Sequence, residues 1–213
     1  MVSNLKGTFA YAGSVLCEQN FAIWNSSNWT TIPLSGYGPA NNITCGNMSK
    51  SLVLAFAMQN STPGLFWIRV VLVDHVTLNP TYYDSPILQY SLQAFVINKL
   101  CVVESNIFIL IGGLQYTRVA IFNLNSTSWK LTNFTTSQSS INDIVGSGDI
   151  IYIGGIFETT NENGTFTNIA KINITTMEWL PIEPLLPGPI LDLQIGNIAG
   201  KRNALFCEMT LKD

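Results

Sequence analysis

The chain has one histidine, His75, next to Asp74, and no serine sits in a G-x-S-x-G setting. A Ser, His and Asp hydrolytic set would have to use that single ring, because the imidazole is the base that takes the serine proton. A redox copper centre built on two histidines is out of reach for the same reason. Zinc asks for Cys or His ligands at short paired spacing, whereas Cys17, Cys45, Cys101 and Cys207 are far apart. Neither a metal nor any other cofactor is expected. Asp143 and Asp192 recur 49 residues apart, which favours a repeated structural role, a turn or a bond to backbone, over catalysis. Arg69, Arg118 and Arg202 stand singly, with no S-x-D-x-G-x-x-W box. GSGD at 146–149 and IGG at 111–113 lack the Lys and the helix that a phosphate loop requires. No catalytic set is expected.

The modification chemistry is richer. Asn-x-Ser/Thr sequons stand at Asn25, Asn28, Asn42, Asn47, Asn60, Asn125, Asn133, Asn163 and Asn173, while Pro80 disqualifies Asn79. With 21 Asn and 36 Ser plus Thr in 213 residues, chance supplies only about 3 to 4 such sites. The excess points to a glycosylated chain in the secretory lumen or outside the cell. In that compartment four cysteines could form two bridges, and Cys17 with Cys45 is the nearest pair in sequence. Cys101 and Cys207 fall on strand-like runs of different segments, as a second bridge or as buried thiols. The leading MVSNLKGTFAYAG has no continuous apolar stretch of the secretory type, so the two observations agree if this sequence belongs to a longer chain.

Charge narrows the partners. Charged residues are 11% of the chain and the net charge is −3, against roughly 25% charged in ordinary soluble domains. The ten basic residues are scattered along the chain, so the clustered Lys and Arg that phosphate backbones demand are missing and nucleic acid is not an expected partner. The longest apolar runs, Leu52 to Met58 and Ile107 to Ile111, are far shorter than the roughly 18 residues of a membrane span.

These residues have to be positioned by something, and the chain repeats itself. FILIGG at 108–113 and IIYIGG at 150–155 each close an apolar run with paired glycines, Gly112 and Gly113, then Gly154 and Gly155. RVAIFN at 118–123 and NIAKIN at 168–173 follow, with Trp129 six residues after Asn123 and Trp179 six after Asn173. NFAIWN at 20–25, followed by Trp29, is a third copy. Asn25 precedes Asn123 by 98 residues, two intervals of 49, and Asn123 precedes Asn173 by 50. A degenerate copy is therefore expected between them, in SLVLAFAMQNSTPGLFWIRVVLVDHVTLN at 51–79.

Ile, Val, Phe, Tyr and Thr fill the apolar runs, polar turn residues interrupt them every 8 to 12 positions, and no long segment has a helical period. The sequence predicts an all-β fold with about four repeats of 49 to 50 residues, each a four-stranded antiparallel sheet, the blade of a β-propeller. The blades fall near 5–36, 43–90, 91–136 and 141–184, with a partial one at 190–213. The glycine pairs would permit close backbone approach. Asn123 and Asn173 would hold the turn between third and fourth strands, and Trp129 and Trp179 would fill space between adjacent blades. Gly7 to Tyr11 and Ala204 to Leu211 occupy the same slot of the repeat, so a segment of a larger propeller is expected, with a closed four-bladed ring as the alternative.

The combination apolar-GG-x-F, N-x-A-x-[IFW]-N and a following Trp resembles the kelch and galactose-oxidase type of propeller. It is more similar still to the propeller repeats of fungal Rax-type cortical markers and related protist surface proteins. The resemblance covers residues 5–34, 92–134 and 141–182 well, and its motifs are short. It implies a non-catalytic extracellular or lumenal scaffold that binds protein or glycan ligands through its loops, those at 37–50, 79–91 and 158–167 foremost. A fragment of a carbohydrate-active propeller enzyme and a cytosolic kelch-type adaptor are the competing readings.

Overall fold

The computed structural model describes residues 2–4, 7–9, 11–13, 20–24, 29–33, 40–47, 51–59, 65–74, 76–86, 88–89, 96–112, 118–131, 140–161, 164–176, 178–180, 182, 188–198 and 201–209, with side-chain surroundings for most of those from Ser51 onward. Every regular element among them is a strand, and every pairing is antiparallel. The chain divides into two units, Met1–Gln93 and Ala94–Asp213.

The first unit holds β1 (Val2–Asn4), β2 (Gly7–Phe9), β3 (Tyr11–Gly13), β4 (Asn20–Trp24), β5 (Trp29–Pro33), β6 (Ala40–Asn47), β7 (Ser51–Gln59), β8 (Leu65–Asp74), β9 (Pro80–Asp84) and β10 (Leu88–Gln89). β1 pairs with β2, β3 to β5 form a three-stranded sheet, and β6, β7 and β8 form a meander. In β7, Leu52, Leu54, Phe56 and Met58 join one apolar cluster with Trp67, Val71 and Val73 of β8. The alternate residues Val53, Ala55 and Ala57 are buried as well, so both faces of the sheet are covered. That is why this segment reads as an unbroken apolar run rather than an alternating one. The place of a fourth strand is divided here. β9 pairs with residues 69–73 of β8, and β10 with Leu65 and Phe66. Between them the Ser85 hydroxyl accepts from the Ile68 N–H at 2.9 Å and donates to the Pro86 carbonyl. Pro86, which has no N–H to give the ladder, stands at this break.

The second unit holds two four-stranded meanders and a hairpin. The first meander is β11 (Val96–Val103), β12 (Asn106–Gly112), β13 (Arg118–Asn123) and β14 (Ser128–Leu131). The second is β15 (Ser140–Ser147), β16 (Ile150–Asn161), β17 (Gly164–Asn173) and β18 (Trp179–Leu180). The hairpin is β19 (Ile190–Ile198) with β20 (Lys201–Met209). One face of the second meander packs through Ile141, Ile151, Phe157 and Phe166 against Val103, Phe108, Leu110 and Val119 of the first. Its other face packs through Val145, Tyr152 and Ile169 against Ile190, Leu193, Leu205 and Cys207 of the hairpin. The three sheets approach one another most closely along their first strands, β11 beside β15 and β15 beside β19. At about 1.5 to 3 kcal/mol for each fully buried Phe, Leu or Ile side chain, this two-sided burial dominates the stability of the unit.

The ladder corrects the alignment of the glycine pairs. Asn106 pairs with Asn123 in the first meander, and Ile150 with Asn173 in the second. With the turns so aligned, Gly154 corresponds to Leu110 and not to Gly112. The two glycine pairs thus sit two residues apart along the sheet, a slip that keeps each residue on its own face. Nor does Gly155 end a strand, since β16 runs on to Asn161 with a break in register between Gly154 and Glu158. Gly113 lies outside the described residues.

Candidate functional site: a charged cluster where first strands meet

Four first strands, β6, β11, β15 and β19, carry one extra residue at the same place. The ladder skips Asn41 in β6, Asn98 in β11, Asn142 in β15 and Leu191 in β19. A bulge of this kind bends the strand and re-aims the side chain that follows. The residues that follow are Asn42, Lys99, Asp143 and Asp192. In the second unit three of these four positions converge, and all three carry charge.

Asp143 is completely buried. Its Oδ1 accepts the Ile144 N–H at 2.6 Å and meets Lys99 Nζ at 2.5 Å, and its Oδ2 accepts the Leu193 N–H at 2.8 Å. Lys99 Nζ also reaches Asp192 Oδ1 at 3.2 Å. The neighbouring bulge residue adds a fastening, because Asn142 Nδ2 donates to the Ile190 carbonyl at 2.8 Å. Side chains from β11, β15 and β19 are thereby joined in one network. Sequence reasoning singled out Asp143 and Asp192 but passed over Lys99. The signal that marks it is the Asn-Lys pair at 98–99, which matches Asn-Asp at 142–143 once the bulge is known.

The electrostatics follow from position. Burial, followed by the hydrogen bond with Asp192, pushes the Asp143 carboxyl up, against the pull of Lys99 and the Leu193 N–H. The hydrogen bond with Asp143 holds Asp192 down at about 2. Burial alone would lower the Lys99 ammonium, yet its hydrogen bonds and charge contacts with the two carboxylates outweigh that and leave it raised. A proton entering the pair is therefore held on Asp143. Cys101, two residues along β11, is a free thiol pushed up to about 11 by burial and then by Asp143.

A second buried charge lies in the first unit. Arg69 of β8 gives Nε and Nη2 to the two oxygens of Asp84 on β9, both at 2.7 Å, and its guanidinium carbon lies 5.8 Å from the centre of the Tyr82 ring. The pair ties the Asp84 end of β9 to β8, at the far end of the strand from Pro80, which has no N–H to give.

The turn residues are placed as follows. Asn123 closes β13, and its Oδ1 accepts the Ser126 N–H at 2.9 Å while its Nδ2 donates to Asn106 Oδ1 at 2.8 Å. Asn173 closes β17 and accepts the Thr175 and Thr176 N–H groups at 2.9 and 3.1 Å. Asp74 closes β8 and accepts the N–H groups of Val76 and Thr77 at 2.9 and 2.8 Å. Asp74 is 49 residues after Asn25 and 49 before Asn123, and it closes its strand as Asn123 does, with an Asp in place of Asn. The left-handed backbone in the Asn123 turn falls on Thr127, at φ 50°, and not on the Asn. Trp129 stacks within its own sheet on its cross-strand partner Phe122, with ring centres 4.8 Å apart. Trp179 meets Phe166 edge-on at 6.2 Å, also within one sheet.

Of the sequons, Asn125 stands exposed in the β13–β14 turn and Asn173 is half-buried. Asn42 and Asn47 lie on β6. Asn25, Asn28, Asn60, Asn133 and Asn163 lie outside the described residues, as do Cys17 and His75; Cys45 pairs with Leu54 across β6 and β7. The segments read as long connections are largely strand. Residues 40–47 form β6, residues 80–84 form β9, and 158–167 form the end of the β16–β17 hairpin, with Glu158 opposite Thr167 and Asn161 opposite Gly164. Thr and Tyr, frequent in these segments, are good strand formers. Among the described residues no helix is long and apolar enough to cross a membrane. No protein-family model and no curated protein matches this chain.

Proposed function

We propose that the sheets are blades of a kelch-like β-propeller in a glycosylated extracellular or lumenal protein, and that the chain is a recognition scaffold. The observation that carries the reading is the second meander. It is buried on both faces between two further sheets, and the first strands of all three come together with a bulge at the same place. A radial array of blades has that geometry, with first strands nearest the axis. The similarity to the propeller repeats of cortical marker and protist surface proteins belongs to this proposal, and so does the compartment. The contact surface is then the projecting end of the β16–β17 hairpin together with the turns, since a rigid sheet scaffold leaves these free to vary.

A glycan ligand or a protein ligand fits such a surface equally, and the sequons argue for a secretory route. Intact mass of the chain from its native cells, before and after glycosidase, tests this. Loss of mass on digestion, mapped to Asn125 among other sites, is the expected result. An unmodified mass near 23.4 kDa would sink the secretory reading and favour a cytosolic adaptor.

A further inference from the structure

We propose that Lys99 and Asp143 become covalently joined by an isopeptide bond, formed by the folded chain itself with Asp192 as the proton carrier. The inference stands on geometry and is independent of the function proposed above.

Three features of the cluster fit an amide-forming centre. The amine and the carboxyl belong to different sheets, yet the fold holds Nζ and Oδ1 at 2.5 Å, so the second-order step between them is made intramolecular. The carboxyl is wholly buried, and two backbone N–H groups, from Ile144 and Leu193, already point at its two oxygens. Donors so fixed stabilise the negative charge that gathers on oxygen when the carbon is attacked. A second carboxylate, Asp192, touches the same amine at 3.2 Å and can take protons from the nitrogen and return one to the leaving oxygen. Burial also favours the protonated, attackable form of Asp143.

The step balances without any co-reactant. The Lys99 ammonium gives one proton to the Asp192 carboxylate, and the free amine attacks Cγ of protonated Asp143 to give a tetrahedral carbon. The nitrogen loses a second proton to solvent, the Cγ–OH bond breaks, and the hydroxyl leaves as water with the proton held by Asp192. The products are one secondary amide, one water, one proton released to solvent and the Asp192 carboxylate restored. Lys99 and Asp192 each keep about 40% of their side chains exposed, so the water has a way out. The raised ammonium of Lys99 and the lowered carboxyl of Asp192 both oppose the first proton transfer, which makes the reaction slow.

The test is the intact mass of the full chain expressed where no glycan is added, unfolded before measurement, for the wild type, Lys99→Arg, Asp143→Ala and Asp192→Asn. The wild type is expected one water lighter than its sequence, with a branched peptide linking the Lys99 and Asp143 fragments after proteolysis. Lys99→Arg keeps the positive charge and the fold but is expected at its full sequence mass. Asp192→Asn leaves both joined groups in place and is expected to convert at least tenfold more slowly. A folded wild-type chain at its full sequence mass after prolonged incubation near neutral pH overturns the proposal. So does a lost water with no branched peptide, or an Asp192→Asn variant that converts at the wild-type rate.

Discussion

Gly154 of β16 faces Ile190 of β19 so closely that a methyl group on it would stand 2.6 Å from Ile190 Cγ2 and 3.0 Å from Leu193 Cδ1. The missing side chain is what lets the hairpin settle on the second meander. Gly155 is tighter, because its methyl would lie 2.1 Å from the Ser140 carbonyl oxygen and 2.8 Å from Ile141 Cα, both backbone.

These contacts order the glycine variants. Gly154→Ala must displace side chains in a packed interface and is expected to cost about 1 to 3 kcal/mol. Gly155→Ala must move the backbone of β15 beside its bulge, so it is expected at or beyond the top of that range. Gly148→Ala meets nothing within 4 Å but sits at φ 55°, and only the left-handed strain of about 1 kcal/mol applies. Urea denaturation of the three variants checks the ranking. Equal losses at Gly148 and Gly155 would contradict it.

Much of this was legible in the sequence, and the boundary is instructive. Leu52 to Met58 reads as buried strand because both faces are covered, and the Asn-to-Trp spacing marks the β13–β14 and β17–β18 hairpins correctly, since such turns are local. The interval of 49 falls on Asp74, which closes β8 as Asn123 closes β13, and it went unread because an Asp stands there. Pairing register was not legible. The two glycine pairs look equivalent as letters, yet counted from Asn106 and Ile150 the place of Gly154 on the ladder is that of Leu110, two residues short of Gly112. The cluster of Lys99 with Asp143 was hidden for a related reason. A bulge at Asn98 re-aims Lys99, and nothing in a pattern of apolar residues signals one extra residue in a strand.

In the chain that has not lost water, where Lys99 and Asp143 are still an ion pair, Asp143→Asn tests the buried network. The substitution keeps size but removes the charge opposite Lys99 and gives Oδ2 an amide that cannot accept from Leu193 if it turns the wrong way. Removing one partner of a buried ion pair typically costs about 3 to 5 kcal/mol, and the half-exposed Lys99 brings the expected loss to the low end. Asp192→Asn, at a half-exposed position, is expected to cost less than about 1 kcal/mol. Equilibrium unfolding of both variants should separate them clearly, and a smaller loss for Asp143→Asn than for Asp192→Asn would mean the network does not hold the sheets.

Arg69→Lys tests whether β9 is held by geometry or by charge. Lysine keeps the charge but cannot make the two parallel bonds to Asp84, and it loses the flat face set against Tyr82. Asp84 is 43% exposed, so water screens the pair and the expected loss is only about 1 to 2 kcal/mol. Hydrogen exchange should show it locally, as faster exchange of β9 amides with the β6–β7 ladder unchanged. A uniform rise across the sheet would place the effect elsewhere.

Cys101 supplies the pH-dependent case. Burial raises its thiol from 9.0 to about 11, so at pH 8 the folded chain presents almost no thiolate there, and the thiolate is the reactive form. Alkylation of Cys101 by iodoacetamide at pH 8 is expected to be more than tenfold slower in the folded chain than in urea, and to quicken as pH rises towards 11. The sign for stability follows the same shift. The folded state prefers the neutral thiol, so the contribution is fully present below 9.0 and is lost as pH climbs from there to about 11. Cys101→Ser removes that thiol titration without lengthening the side chain, and its stability should fall less steeply over this interval than that of the wild type. Equal slopes would mean that Cys101 is as open to water in the folded chain as in the unfolded one, and the packing of β11 against β15 would have to be redrawn around it.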